Sequence, residues 1–93
     1  MAKAVITVKI MPESPDVDFE AIQATATDKI DEFVGEAGEK RFLLEPIAFG
    51  LKALKITFVM DEKIGGTEPL EEQLAKIEGV QSVDVIDVRR AIG

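Results

Sequence analysis

A chain of 93 residues with 46% hydrophobic content has the size of one domain, since domains typically run to about 100–150 residues. It contains no cysteine and no histidine. That removes disulfides, thiolate nucleophiles, zinc-thiolate sites and the commonest general base and metal ligand, and so weighs against an enzyme. A net charge of −7 weighs against nucleic-acid binding, which depends on phosphate neutralisation by Lys and Arg. The same charge fits either a solubilising surface or attraction to a basic partner.

Met1-Ala2-Lys3-Ala4 leads straight into strand-like sequence, so no signal peptide is read, and no apolar run is long enough to span a bilayer. A cytoplasmic protein with no membrane contact is expected. Ala4 to Ile10 is rich in β-branched residues and predicts a strand, which Met11-Pro12-Glu13-Ser14-Pro15 should break. Asp18 is placed to cap a helix running to about Phe33. Its buried stripe is Phe19, Ile22, Ala26, Ile30 and Phe33, and Val17 with Ile22 could form a hydrophobic staple. Gly35 and Gly38 should end that helix, and the charged Glu36–Arg41 stretch reads as a connection.

Two strands are predicted next, about Lys40 to Ile47 and Leu51 to Met60, joined by a tight turn that carries an aromatic ring. Pro46 has no N–H to donate and marks a strand end or an edge, while Gly50 supplies the freedom a reversal needs. Phe49 stands between them, where turn chemistry favours a polar residue. Its ring is either folded back onto the domain or offered to something else.

Asp61 to Gly66 reads as a polar loop. Thr67 can cap a second helix with Pro69 in its first turn, Leu70, Leu74 and Ile77 on its buried face, and Glu72 paired with Lys76 outside. Gly79 is placed to stop this helix in the left-handed conformation. Val80 to Val88 predicts the last strand, followed by Arg89-Arg90-Ala91-Ile92-Gly93. Gly65-Gly66-Thr67 lacks the lysine and spacing of a phosphate loop. Asp61, Glu62, Asp84 and Asp87 have no metal-ligand spacing. Neither cofactor nor metal is therefore expected.

The order βαββαβ, with right-handed crossovers, puts two helices on one face of a four-stranded antiparallel sheet. The predicted fold class is an α+β ferredoxin-like sandwich occupying residues 1–93. Fold alone does not give function. The uncovered sheet face of such a fold can bind RNA through strand aromatics, but here the relevant strand shows only Phe58 in an acidic chain.

Three fragments carry a family resemblance: Pro46 to Ile56, Leu70-Glu71-Glu72-Gln73-Leu74 after Gly65-Gly66-Thr67, and Val80-Gln81-Ser82-Val83-Asp84-Val85. In order and spacing they resemble the exchange domain of translation elongation factor 1-beta. The first half matches more loosely, through a strand, Met11-Pro12, an acidic stretch and a helix. The resemblance implies a ferredoxin-like guanine nucleotide exchange factor, not an enzyme. Its partner would be elongation factor 1-alpha, the GTPase that delivers aminoacyl-tRNA to the ribosome. The eukaryotic members' long N-terminal extension has no counterpart here, so the chain looks like the archaeal form.

The resemblance also implies partner-binding residues. A basic residue at the end of the last strand reaches the Mg²⁺ region of the GTPase in that family, and alignment puts Arg90 there, with Arg89 beside it. Arginine replaces the lysine of eukaryotic members, and its larger, planar, forked donor is a departure. The turn aromatic that in that family inserts into the GTPase and pulls on elements that hold nucleotide corresponds to Phe49, flanked by Ala48 and Gly50. On residues alone Arg89 and Arg90 read as solvated terminal charges, and only the resemblance assigns them a partner. The competing functional reading is an effector-binding regulatory domain of the same fold.

Overall fold

Strand β1 (Lys3–Pro12) sets the architecture, because its residues alternate strictly: Ala4, Ile6, Val8 and Ile10 are buried and their neighbours face the other way. The computed structural model describes residues 3–36 and 38–91. Chain order then gives α1 (Phe19–Val34), β2 (Lys40–Pro46), β3 (Lys52–Asp61), a 3₁₀ turn (Glu62–Ile64), α2 (Glu68–Ala75) and β4 (Val80–Ala91). The strands form one antiparallel sheet in the order β2-β3-β1-β4. This is the predicted ferredoxin-like sandwich.

The register builds one apolar face. Ile6 stands opposite Phe58, Val8 opposite Ile56 and Ile10 opposite Leu54, and all six are buried. Ile22, Ala26 and Ile30 of α1 and Leu70 and Leu74 of α2 close the core from above. A helical stripe at three- and four-residue steps meets a strand pattern of period two, which is the geometric basis of a helix–sheet layer. Helix α1 packs on α2 and β3, and α2 packs on β4.

The ends of α1 follow its sequence. The Asp18 carboxylate accepts from the Ala21 N–H at 3.1 Å, satisfying a donor the first turn leaves free. Gly35, at φ 91°, donates its N–H to Asp31 O at 2.8 Å and ends the helix. Val17 and Ile22 both close on Gly79, where an added Cβ would lie 3.3 Å and 3.4 Å from their methyl groups.

Several boundaries differ from the sequence reading. Strand β1 continues through Met11 to Pro12, which pairs with Val80 at a register shift; a strand's last residue at a bulge is a place where proline costs no ladder bond. Glu62–Ile64 is a 3₁₀ turn rather than loop, with the Asp61 carboxylate accepting from Lys63 N–H at 2.9 Å. Thr67 precedes α2, but its hydroxyl donates to Glu71 Oε2 at 3.1 Å instead of capping the backbone. Helix α2 ends at Ala75 with Lys76 as its cap. Gly79 adopts φ 93° in the connection beyond, so it shapes the turn into β4 rather than stopping the helix. Glu72 and Lys76 form no ion pair among the described residues. Strand β4 runs past Val88 to Ala91 and takes in Arg89 and Arg90. Met1, Ala2, Ala37, Ile92 and Gly93, which the sequence reading touched, lie outside the described residues.

Candidate functional site

At the tip of the β2–β3 hairpin the chain reverses at Ala48-Phe49-Gly50-Leu51. The Leu51 N–H donates to Ala48 O at 2.9 Å, and the Ile47 N–H donates to Leu51 O at 3.0 Å. Phe49 has φ 55° and Gly50 φ 76°, so both central residues occupy the positive-φ region of a type I′ turn. Glycine takes that conformation freely. For a phenylalanine it is an outlier, costing on the order of 1–2 kcal/mol.

The ring gains nothing locally in return, since Phe49 is 96% exposed. Of the two fates the sequence left open, it takes the outward one. Ala48 and Gly50 are exposed beside it. Backbone strain and a fully solvated aromatic therefore coincide at one residue, held by two backbone hydrogen bonds.

The arginine pair sits at the other end of the sheet, and a bulge decides how it points. Along β4, Val83 and Val85 stand opposite Ile10 and Val8 on the helix side. The register then shifts between Val8 and Thr7, leaving Ile86 as the extra residue, after which Val88 and Arg90 stand opposite Ile6 and Ala4. An uninterrupted strand would have placed Arg89 on the helix side. One inserted residue exchanges the faces. Arg90 consequently points to the helix side, where its Nε donates to Glu62 Oε1 at 2.8 Å. Arg89 is on the open face opposite Val5 and donates to Asp87 Oδ2 at 2.9 Å. Both arginines remain about three-quarters exposed.

Phe49, Ala48 and Gly50 therefore share one end, Arg89 and Arg90 the other, and the fold does not bring the two groups together. Arg90 is level with Ala4 and Met60, whereas the turn begins beyond Lys52. The span of β3 between those levels is roughly 26 Å at ~3.3 Å per residue, in a molecule 42 Å long.

Two features escaped the sequence reading. Glu62 holds Arg90, a contact that needs both the 3₁₀ turn and the β4 bulge and leaves no local sequence signal. The other is the outer strand β2, where Phe42, Leu43 and Leu44 are all at least one-third exposed. Phe42 and Leu44 lie on the helix side, but α1 packs over β3 and leaves them only partly covered. A run of apolar residues reads as buried strand; its exposure follows from an edge position the run does not encode.

On the open face Thr7 and Thr57 share a hydrogen bond of 3.1 Å between their hydroxyls. Lys55 Nζ donates to Glu45 Oε2 at 2.6 Å. That hydrogen bond first, and the Lys55 charge second, hold the Glu45 carboxyl below its ordinary range. The Lys40 ammonium binds Asp31 and also Gly38 O, tying β2 to the end of α1. Among the described residues no cluster of three or more Asp and Glu could hold a metal ion, and no helix is long and apolar enough to cross a membrane.

These features define a ferredoxin-like domain that carries its distinctive side chains outward, an aromatic at one end and a basic pair at the other. The class becomes specific on comparison, because the EF-1 guanine nucleotide exchange domain matches residues 5–91. Elongation factor 1-beta of Methanosphaera stadtmanae is 48% identical over 90 residues, covering 97% of this chain and 98% of that protein. Those of Methanobrevibacter smithii and Methanothermobacter thermautotrophicus are each 47% identical, again over 97% of this chain and 98% of the relative. The chain belongs to the elongation factor 1-beta family.

Proposed function

We propose that this chain accelerates release of GDP from elongation factor 1-alpha, so that GTP can reload it during translation elongation in the cytoplasm. Residues 1–93 act as one exchange domain, by binding a protein and not by making or breaking bonds. The single observation that carries the mechanism is Phe49, strained at φ 55° and 96% exposed. A side chain held at an energetic cost in the free protein is explained if its burial in a partner returns more than the cost.

Exchange by such a factor is linkage. If the factor weakens GDP binding by some ratio, GDP weakens binding of the factor by the same ratio. A thousandfold effect corresponds to about 4 kcal/mol of differential binding. Two anchors of ordinary strength can supply this, since a buried aromatic hot spot contributes at least about 2 kcal/mol and a charge-assisted hydrogen bond about 1.5–3 kcal/mol.

With their levels in the sheet roughly 26 Å apart, the anchors divide the work. Phe49, with Ala48 and Gly50 shaping its turn, inserts into the GTPase and pulls on elements that hold nucleotide, so that it binds best when the nucleotide has left. Arg90, with Arg89 beside it, reaches the Mg²⁺ region and competes there with the ion. Arg90 must first leave Glu62, and since exposed ion pairs contribute about 0–1 kcal/mol that release is a small barrier.

The test is release of a fluorescent GDP from elongation factor 1-alpha of the same source. Acceleration at substoichiometric amounts of this chain is the expected result. An unchanged rate with both proteins folded would refute the reading.

A further inference from the structure

The outer strand β2 carries a sequence that is complementary to itself. Read from Arg41 to Glu45 it is Arg-Phe-Leu-Leu-Glu, and its outer edge has no partner strand among the described residues. Set antiparallel to a second copy about Leu43, it places Leu43 against Leu43, Phe42 against Leu44, and Arg41 against Glu45 on both sides of the axis. Each face remains consistent with the register to β3. Phe42 and Leu44 share the helix side, while Arg41, Leu43 and Glu45 share the open side. We propose that β2 is an interaction surface for a second copy of this chain, joining two sheets edge to edge through this register.

The backbone is arranged for it. Ile47 donates its N–H to Leu51 of the hairpin, so at every second residue Glu45, Leu43 and Arg41 aim their backbone groups at β3. Lys40, Phe42 and Leu44 aim theirs outward, and Pro46 falls in the outward row, where its missing N–H breaks no bond to β3. In the paired register Phe42 and Leu44 exchange backbone hydrogen bonds with each other across the axis. Leu43 then meets its symmetry mate as a non-hydrogen-bonded pair, with Cα atoms about 4.5 Å apart.

The side chains agree. Natural edge strands are protected by inward charges, prolines or covering loops; here Pro46 protects only the end of the edge, and before it stand three consecutive large apolar residues that are at least 36% exposed. An opposite-charge pair and apolar pairs facing one another are the contacts that stabilise a strand pair. A two-fold, isologous contact requires this kind of self-complementarity. One short strand per copy falls below a standard interface of about 1,600 Å², and each copy carries a net charge of −7. The dimer is accordingly weak, with a Kd on the order of 100 μM, and it leaves Phe49 and Arg90 free.

Charge exchange in trans tests this without depending on the exchange activity. Arg41→Glu alone faces Glu45 of its mate with a like charge twice, and Glu45→Lys alone faces Arg41 with a like charge twice. Mixed, the two variants restore opposite charges at both positions. By sedimentation at about 0.15 M salt, each variant should be monomeric where the wild type dimerises, and the mixture should recover the dimer. A folding defect cannot produce that recovery. Because the protein lacks cysteine, Leu43→Cys adds a second readout, as the central pair meets the geometry of a disulfide. It should cross-link at least about tenfold faster than Val88→Cys, which lies on the far edge at 62% exposure. A wild type that stays monomeric at millimolar concentration, a mixture that fails to associate, or equal cross-linking of the two cysteines would each overturn the proposal.

Discussion

The two ends of the sheet present their side chains by opposite means. At the hairpin end, Phe49 is placed by backbone: a two-residue turn at positive φ, closed by two hydrogen bonds, fixes where its side chain leaves the chain and gives the ring no local contact. At the other end, Arg90 sits in regular strand and is steered by a neighbour, its guanidinium held by Glu62. The first arrangement is strained in its backbone, the second relaxed and exchangeable. A projecting aromatic suits binding, because it has only two side-chain torsions to order when it docks. A long charged side chain with a replaceable partner suits a step in which it must move.

The largest effect should separate these roles. Phe49→Ala removes a ring that contributes nothing to the core, so its melting temperature should stay within about 2 °C of wild type. Its half-saturating concentration in GDP release should rise about thirtyfold, the equivalent of a 2 kcal/mol hot spot. A destabilised variant, or one with unchanged half-saturation, would remove Phe49 as the docking anchor. Arg90→Ala should divide differently. Maximal GDP release should fall about tenfold at saturating factor, with half-saturation changed less than threefold. If half-saturation moves and the maximum does not, Arg90 is a binding residue and the contrast between the ends collapses.

Smaller but sharper is the strain itself. Phe49→Asn creates the Asn-Gly pair that type I′ turns favour, and asparagine tolerates positive φ far better. The variant should be more stable than wild type by about 1 kcal/mol, which raises the melting temperature by about 4–8 °C for a domain of this size. It should nevertheless lose exchange as Phe49→Ala does. A site kept at a cost in stability predicts this trade-off; a turn that merely tolerates its phenylalanine does not. Calorimetry alongside GDP release decides between them.

How much of this was legible in the sequence depends on the range of the interaction involved. The elements and the core were, because alternation in β1 and β3 and the stripe through Ile22, Ala26 and Ile30 are local patterns. The oddity of Phe49 was visible too, since an aromatic beside Gly50 contradicts turn chemistry, although its direction was not. Arg90 drew notice only through family resemblance. Its orientation depends on the Ile86 bulge, which belongs to the pairing of β4 with β1 and not to either strand alone. The exposure of Phe42 and Leu44 depends on where α1 comes to rest. Helix ends misled in the same way: Gly79 looked like a helix stop, yet its positive φ serves a turn packed against Val17 and Ile22.

The smallest predicted effect lies at the base of the Phe49 hairpin and asks whether rigidity there has an electrostatic part. Lys55 on β3 donates to Glu45 on β2, and its hydrogen bond and charge lower the carboxyl's pKa in the folded protein. A lowered folded pKa means the unfolded chain takes up the proton first as pH falls. The contribution is therefore fully present above the ordinary glutamate value, about 4.3, and is lost as pH drops through the lower folded value. Glu45→Gln should melt slightly below wild type at pH 7, and the gap should close as pH falls below the ordinary glutamate range. Comparing the two proteins cancels the many other carboxylates that titrate in that window. A gap that persists in acid well below that range would assign the difference to lost packing or to the neutral hydrogen bond. The hairpin that aims Phe49 would then be held by its backbone geometry alone.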